Sequence, residues 1–367
     1  MRRDTALGIA GVSKHALYHK PKENKVGRRK TDTTKMFTSE GIKEVSNELV
    51  VTQIKEFNAD PDLRCGYKRM TGMLGLCGYF VNKKKVHRLM SENGMLNPAK
   101  KSTSRTFAKY RIVTPEVPLE VIEMDIKHIW IESERRSAYV LTVIDTFTRY
   151  VLGWQVGFTM KSHQVETLWN QVIEQHLESN SMRKKHISIE VRNDNGPQFK
   201  SDLIRAFFNE NYLNQVFTHP YTPQENGHIE SFHCILSNAL DPAFWSLREL
   251  ETRLNRFYEA YNTVRVHGSI CMLSPQLFWS AWNYNLIERN VSAKRKVIFK
   301  LKCPIQQIPG IISQRETSCI KTSAKHTNVH GNDEDQIIVS AISETPVNQS
   351  PSVTSCLANK RREIMLN

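Results

Sequence analysis

The chain has 367 residues, 40% of them hydrophobic and 24% charged, which is ordinary for a globular protein of two or three domains. Its net charge of +14 lies in residues 1–111, where 24 Lys and Arg face 10 Asp and Glu, and this indicates a nucleic-acid-binding module beside a near-neutral one. The lack of a long apolar run, of a signal-peptide pattern and of paired cysteine spacings argues against a membrane or secreted protein and favours a cytoplasmic one.

The N-terminal third is predicted to be helical. Residues 5–20 predict a short helical pair in which Ser13 caps the second helix, and the basic stretch up to residue 35 predicts a linker. From residue 39 to 96 the apolar residues recur at helical spacing, so we expect helices throughout. Gly75 and Gly78 split two short helices, which predicts a helix-turn-helix-like DNA-binding domain over 36–97. The alternative is a helical hairpin with a solvated basic end.

A linker is predicted over 98–117, followed by a catalytic core over 118–285. The order of elements in this core is strand, strand, strand, helix, strand, helix, strand, helix, with an antiparallel meander first. This order is typical of a ribonuclease H-like α/β domain, a mixed five-stranded sheet with flanking helices. Residues 286–367 predict a largely disordered C-terminal extension with one strand within 293–302. The predicted core elements are strands near 121–130, 138–145, 149–156, 187–191 and 216–217, and helices near 162–178, 203–208, 227–233 and 246–262.

Three carboxylates stand out within this predicted core. Asp125 lies in the first strand, Asp194 follows the fourth strand, and Glu230 lies on a helix, with 35 residues between Asp194 and Glu230. Phosphodiester cleavage develops charge on the attacking and leaving oxygens, and two divalent ions bridged by carboxylates can stabilise both. Hard oxygen ligands suit Mg²⁺, with Mn²⁺ as a substitute. The spacing and the element types resemble the catalytic core of DDE transposases and retroviral-type integrases, and this resemblance implies that Asp125, Asp194 and Glu230 are the catalytic residues and the ligands of two such ions.

Other acids compete with these three. Asp145 ends the second strand, where pairing with Arg149 or capping of the turn is the more ordinary role. Glu123 shares the strand face of Asp125, but its neighbours give no support to a catalytic role. Glu225 lies in the loop before the helix and would shorten the spacing from Asp194 to 30 residues.

Residues 8–282 resemble the second-frame product of the insertion-sequence-three family of bacterial transposases. The resemblance depends on many motifs in one order. The closing block places Tyr261, Asn262, Arg265, His267 and Pro275 where that family has Tyr-Asn-x-x-Arg-x-His … Pro. The matching stretches are GVSKHALYHK at 11–20, GYKRMTGMLGLCGYFVNKKKVHRLMSENGML at 66–96, EMDIKHIW at 123–130, YVLTVIDTFTRYVLGW at 139–154, NDNGPQFKS at 193–201 and PQENGHIESFH at 223–233.

The resemblance implies a DNA transposase that cuts one strand at the inverted-repeat ends of its element and joins it to another, with Asp125, Asp194 and Glu230 holding Mg²⁺. It also implies target DNA as a second substrate and a homo-oligomer assembled on DNA at the nucleoid. Recognition of the inverted repeat would come from a first-frame partner protein or from a fusion with it made by ribosomal frameshifting. Basic residues in the helix-turn-helix-like segment and in the closing block are the predicted DNA contacts. These are Lys68, Arg69, Lys83, Lys84, Lys85, Arg88, Arg265 and His267.

Three departures from the family pattern favour an alternative. Arg192 and Asn193 stand where the family usually has His-Ser before the second aspartate. Cys234 and Ser237 stand at positions that are commonly basic, and the tail after about residue 290 has no counterpart. These features predict, as the alternative, a catalytically decayed copy that only binds DNA. A ribonuclease H-like nuclease of another role is a third interpretation, which the basic N-terminal region and His267 disfavour.

Overall fold

The computed structural model of the chain describes residues 3–13, 18, 30–38, 40–96, 113–180, 188–219, 226–292, 297–305 and 308. Helix α1 (Arg3–Ile9) is the first half of the predicted helical pair. Most of the predicted second helix, the predicted linker from 98 to 112, Glu225 and the predicted tail after 308 lie outside the described residues.

The segment before the first long helix is a β-hairpin, so the prediction of helices throughout 39–96 is wrong at its start. Strands β1 (Thr33–Thr38) and β2 (Gly41–Ser46) pair antiparallel in full register. Gly41 closes the turn at φ +111°, a conformation that favours glycine. Ile42 and Val45 matched a helical spacing, but on this strand Ile42 is exposed and only Val45 packs on the domain core. Thr33 also lies inside the predicted linker, which therefore ends earlier.

Three helices complete this domain: α2 (Asn47–Ala59), α3 (Tyr67–Leu76) and α4 (Lys83–Glu92). The side chain of Asn82 caps α4 by accepting a hydrogen bond from the backbone N–H of Lys85. Strand β3 (Tyr79–Phe80) joins α3 to α4 and pairs with β1. At Gly78, with φ +94°, a Cβ would lie 2.7 Å from the carbonyl oxygen of Phe37, so glycine permits the hairpin to dock on this turn. The pair α3–α4 is the predicted pair of short helices.

The second domain is built on a mixed sheet. Its main path has the order β6-β5-β4-β7-β8, in which β4, β5 and β6 form the predicted antiparallel meander and β7 and β8 run parallel to β4. A short strand β9 pairs with the far end of β4, so the described sheet has six strands where five were predicted. The strands are β4 (Val121–Ile131), β5 (Arg136–Asp145), β6 (Val151–Gly157), β7 (Ile189–Asn193), β8 (Leu213–Phe217) and β9 (Ala243–Phe244).

Helices cover both faces of this sheet. Along β4, side chains alternate between faces, so Ile122 and Met124 enter one core while Glu123 and Asp125 face the other. The first face carries α5 (Ser162–Val172), which continues as a π-helical turn Ile173–Glu178, with α6 (Pro197–Lys200) and α7 (Asp202–Glu210). The second face carries α8 (Gly227–Ala239) and α9 (Leu247–Thr263). This arrangement is the predicted ribonuclease H-like architecture.

Beyond α9 the chain folds further than predicted. Helix α10 (Pro275–Asn283) and strand β10 (Ile287–Val291) were not predicted, whereas β11 (Val297–Leu301) confirms the strand expected within 293–302. The strands β10 and β11 pair antiparallel, and both pack with α10 around Phe147. None of the helices in the described residues is long and apolar enough to cross a membrane.

The two domains contact each other through a buried ion pair. Asp62, which is 1% exposed, accepts a 2.6 Å hydrogen bond from Nη2 of Arg253 on α9, and Nε of Arg256 lies 3.5 Å away. Val266, just past α9, is part of the core of the helical domain. The end of α9 therefore carries residues that belong to both domains.

Candidate active site

The sheet register aligns the first two predicted catalytic acids. Strand β7 runs parallel to β4, with Glu123 opposite Arg192. Continuing this register by two residues places Asp194, just past the end of β7, beside Asp125 on β4. The carboxyl ends of adjacent parallel strands are a common place for a site in such folds.

Helix α8 brings the third acid to the same face. Glu230 lies in the first turn of α8, and His233 follows one turn later on the same side of that helix. Nδ1 of His233 lies 3.4 Å from Oδ2 of Asp125. This contact joins α8 to β4 at the predicted site. The sequence analysis did not identify His233, although its i, i+3 spacing from Glu230 is a signal that could have done so.

The charge of Asp125 acts on the other two predicted acids. Burial raises the pKa of Asp194, and the charge of Asp125 raises it further, against a 3.0 Å hydrogen bond from the N–H of Gly196. Burial also raises the pKa of Glu230, and Asp125 adds to this. Carboxylates whose mutual repulsion raises their pKa values gain most from a cation between them. This donor set therefore fits a divalent metal ion with hard oxygen ligands.

As they stand, no three His, Cys, Asp or Glu side chains of the described residues come close enough together to hold a metal ion. Residues 220–225, which lead into α8, lie outside the described part of the chain. The assignment of Asp125, Asp194 and Glu230 as metal ligands therefore stays a prediction.

Glu123 has a role that the sequence did not reveal. Its side chain is fully buried, and Oε2 accepts hydrogen bonds from the backbone N–H groups of His228 (3.0 Å) and Ile229 (2.8 Å) at the start of α8. Burial raises the pKa of Glu123 to about 7. Glu123 thus ties the strand that carries Asp125 to the helix that carries Glu230. Nothing at its own position in the sequence identified a helix N-terminus more than 100 residues away as its partner.

Asp145 has the structural role that the sequence favoured. Its Oδ2 accepts hydrogen bonds from the backbone N–H (2.9 Å) and the hydroxyl (2.6 Å) of Thr148, and its Oδ1 accepts one from the N–H of Leu119 (3.0 Å). Of the two roles considered, pairing with Arg149 or capping the turn, the side-chain contacts correspond to capping.

The unusual residues before Asp194 have partners within the fold. Arg192 is buried and forms an ion pair with Glu190 on the same strand. Asn193 is also buried; its Oδ1 accepts from Gln215 (3.0 Å) and its Nδ2 donates to the carbonyl of Asp194 (2.7 Å). These contacts satisfy both side chains without using the carboxylate of Asp194. In contrast, Cys234 and Ser237 are exposed on α8.

The predicted DNA contacts of the helical domain differ in exposure. Lys68, Lys83 and Lys84 are exposed, and Arg69 is half-buried. Lys85 and Arg88 are also half-buried and hold the hairpin segment: Nζ of Lys85 donates to the carbonyl of Thr33 (2.6 Å), and Nη2 of Arg88 donates to that of Thr31 (3.4 Å). Of the four predicted contacts on α4, the exposed Lys83 and Lys84 are therefore the ones that present their charge to solvent.

Arg265 and His267 lie inside the protein, which does not support the prediction that they contact DNA from its surface. Arg265 is 7% exposed and donates from Nη1 to the backbone carbonyl of Asp62, and His267 is 8% exposed against the ring of Tyr261. Burial lowers the pKa of His267 to about 3, and the nearby charge of Arg265 contributes. Both residues directly follow α9, whose C-terminal end lies between the two domains, and they are buried for this reason.

The buried His267 predicts a pH dependence of stability. Its folded pKa lies below the unfolded value of about 6.5, so between pH 6.5 and about 3 the unfolded state binds a proton that the folded state does not. Stability from this group is complete above pH 6.5 and falls as the pH drops, by up to about 1.4 kcal/mol per pH unit. In denaturant titrations at pH 7, 6 and 5, we expect the free energy of unfolding to fall less steeply with pH in His267→Gln than in the wild type. The exposed His163→Gln should follow the wild type. An unchanged slope in His267→Gln would contradict this.

The comparisons with known proteins identify an integrase core domain in this part of the chain. Two family models, each described as integrase core domain, match residues 115–223 and 211–275. A protein of insertion element IS476 from Xanthomonas euvesicatoria is 26% identical, covering 62% of this chain and 63% of its own length. The transposase of insertion sequence IS904 from Lactococcus lactis is 24% identical over 64% of this chain and 95% of its own length.

A putative transposase of IS150 from Escherichia coli is 23% identical over 62% of this chain and 81% of its own length. The catalytic domain of Mos1 mariner transposase superposes with a TM-score of 0.32 at 12% identity, covering 44% of this chain and 74% of that one. Residues 115–275 of the chain thus match an integrase core domain, and the relatives that it resembles over about three fifths of its length are transposases and other proteins of insertion sequences. The alternative of a decayed DNA-binding copy gains no support from these matches.

Proposed function

We propose that this chain cleaves one DNA strand at the inverted-repeat ends of its insertion sequence and transfers the new end to another strand, with Asp125, Asp194 and Glu230 as the catalytic acids. The observation that carries the proposal is geometric: the register of β4 with β7 aligns Asp194 with Asp125, and the contact of His233 with Asp125 brings α8, which carries Glu230, to the same face. The charge of Asp125 also contributes to the raised pKa values of Asp194 and Glu230, as expected where carboxylates share a site.

Asp125, Asp194 and Glu230 would hold the divalent metal, which supplies stabilisation of the charge that develops on the attacking and leaving oxygens. The chain's own contribution is to position these acids. Asp125 is fixed by a 2.8 Å hydrogen bond from the N–H of Ile126 and by His233, and Asp194 by the N–H of Gly196. The ordered contacts of Arg192 and Asn193 leave the Asp194 carboxylate available for this role.

The proposed substrates are the element's ends and target DNA, and the exposed Lys68, Lys83 and Lys84 would contact their phosphates. We further propose that the chain works as a homo-oligomer on DNA at the bacterial nucleoid. A first-frame protein of the same element is the proposed partner for recognition of the inverted repeat.

The proposal predicts strand cleavage that depends on a divalent metal. Purified chain should nick a labelled duplex that carries the inverted-repeat end in Mg²⁺ or Mn²⁺, with or without the first-frame partner. Excess EDTA should abolish nicking, and Mg²⁺ added back should restore it. Nicking that persists in EDTA would contradict the role of the carboxylates. Binding of the duplex without nicking in any divalent metal would favour a protein that occupies element ends without cutting them.

A further inference from the structure

A cavity of about 480 Å³ lies between the helical domain and helix α8, and its charged lining is entirely basic. The end of α2, the following loop and the start of α3 form one side, and the second half of α8 with Arg265 forms the other. Its volume falls within the range of ligand sites, ~300–1,000 Å³. The charged residues that line it are Arg64, Arg69 and Arg265.

The acids near this cavity are engaged elsewhere. Asp60 and Asp62 form ion pairs with Arg256 and Arg253 of α9. Within the described part of the chain, no ion pair joins a carboxylate to Arg64, Arg69 or Arg265. In the described lining the three guanidinium groups thus form no ion pair, although Arg265 lies within the influence of the Asp62 charge and donates from Nη1 to the backbone carbonyl of Asp62.

The arginines are also close enough to affect one another. The charge of Arg69 lowers the pKa of Arg265, in addition to the larger effect of burial. Nε of Arg265 is buried and has no hydrogen-bond partner among the described residues. A buried donor without a partner costs about 1–3 kcal/mol, so an acceptor bound there would satisfy it.

We propose that this cavity binds a phosphate group, and specifically a phosphate of the DNA backbone; this assignment to DNA rests on the proposed function. Guanidinium groups match the oxygens of phosphate with paired hydrogen bonds, and three of them suit an anion with several acceptor oxygens. Arg69 lies on α3, the first helix of the pair α3–α4, and in helix-turn-helix domains the first helix crosses the DNA backbone. Since α8 lines the opposite side, the same phosphate would contact the helix that carries Glu230.

The variant Arg64→Ala/Arg69→Ala tests the proposal, because Arg64 is exposed and Arg69 half-buried, so the fold should survive their loss. The matched control is Arg205→Ala, an exposed arginine on α7 that does not line the cavity. Binding of the full-length chain to an inverted-repeat duplex would be measured by fluorescence anisotropy from 50 to 250 mM salt. We expect the double variant to bind about tenfold more weakly at 100 mM salt and to reduce the slope of log K against log salt by about one, with no such change in the control.

A second arm uses inorganic phosphate. Phosphate should raise the melting temperature of the wild type and the control more than that of the double variant, at matched ionic strength. If the double variant binds the duplex with the affinity and salt slope of the wild type, the phosphate that the cavity takes is not one of the DNA backbone. If inorganic phosphate also raises the melting temperature of the double variant as much as that of the wild type, the cavity is not a phosphate site. If the wild type fails to bind the duplex at all, the proposed function fails, and the phosphate arm still decides whether the cavity takes a phosphate group.

Discussion

We expect Asp125→Asn, Asp194→Asn and Glu230→Gln each to reduce strand cleavage on the order of 10³-fold. Each substitution keeps the shape of the side chain and removes one negative charge from the predicted metal site. Metal ions stabilise such reactions by several kcal/mol, and a loss of about 4 kcal/mol corresponds to a factor of this size. The measurement is single-turnover nicking of the labelled inverted-repeat duplex in Mg²⁺.

Stability measurements distinguish this loss of activity from unfolding. Because Asp125 raises the pKa of Asp194 and of Glu230, removing its charge relieves repulsion in the metal-free protein. Asp125→Asn should therefore be at least as stable as the wild type in EDTA and should gain less stability when Mn²⁺ is added. The control is Asp202→Asn, a fully exposed acid at the start of α7. Variants that nick at the wild-type rate would refute the assignment of these acids.

Most of the catalytic core could be predicted from the sequence because its elements carry their own patterns. Strands β4, β5 and β6 are half-buried or buried runs with clear turns between them, and α9 shows a long apolar stripe. The sequence pointed to Asp194 and Glu230 because they lie within one ordered set of motifs, and their catalytic role stays a prediction. The parallel pairing of β4 with β7, which the element order implies, aligns Asp194 with Asp125, whereas Glu230 is brought to the same face by α8.

The parts that the sequence did not reveal depend on tertiary contacts. The hairpin β1–β2 has too few apolar residues to show alternation, and Ile42 and Val45 happen to match a helix. Strand β9 has two residues and exists only because it pairs with the end of β4. Arg265 and His267 belong to a motif that resembled a surface DNA contact, whereas both side chains are buried between the two domains, where Arg265 donates to the backbone carbonyl of Asp62. A sequence motif identifies residues but does not show which side chains those residues contact in the folded protein.

The same limit applies to Glu123, whose removal should have the second largest effect on cleavage. We expect Glu123→Ala to slow nicking about 10- to 100-fold, the usual effect of losing a residue that orients a metal ligand. Without this carboxylate, the backbone N–H groups of His228 and Ile229 lose their shared hydrogen-bond acceptor. A buried N–H group without an acceptor costs about 1–3 kcal/mol of stability. The start of α8, and Glu230 with it, would then shift relative to Asp125.

Glu123→Gln separates this positioning role from charge. Its amide oxygen can accept both hydrogen bonds, so we expect nicking within a few-fold of the wild type although the negative charge is gone. The matched control is Glu134→Ala, an exposed acid in the turn after β4.

Two measurements distinguish displacement of α8 from a general loss of stability. The Mg²⁺ concentration for half-maximal nicking should rise in Glu123→Ala, because Glu230 would no longer be held beside Asp125, and it should stay near the wild-type value in Glu123→Gln. Hydrogen exchange should accelerate at the amides of residues 228 and 229 in the alanine variant while the amides of β5 stay protected. If Gln impaired cleavage as much as Ala, the charge of Glu123 and not its hydrogen bonds to α8 would be what the active site requires.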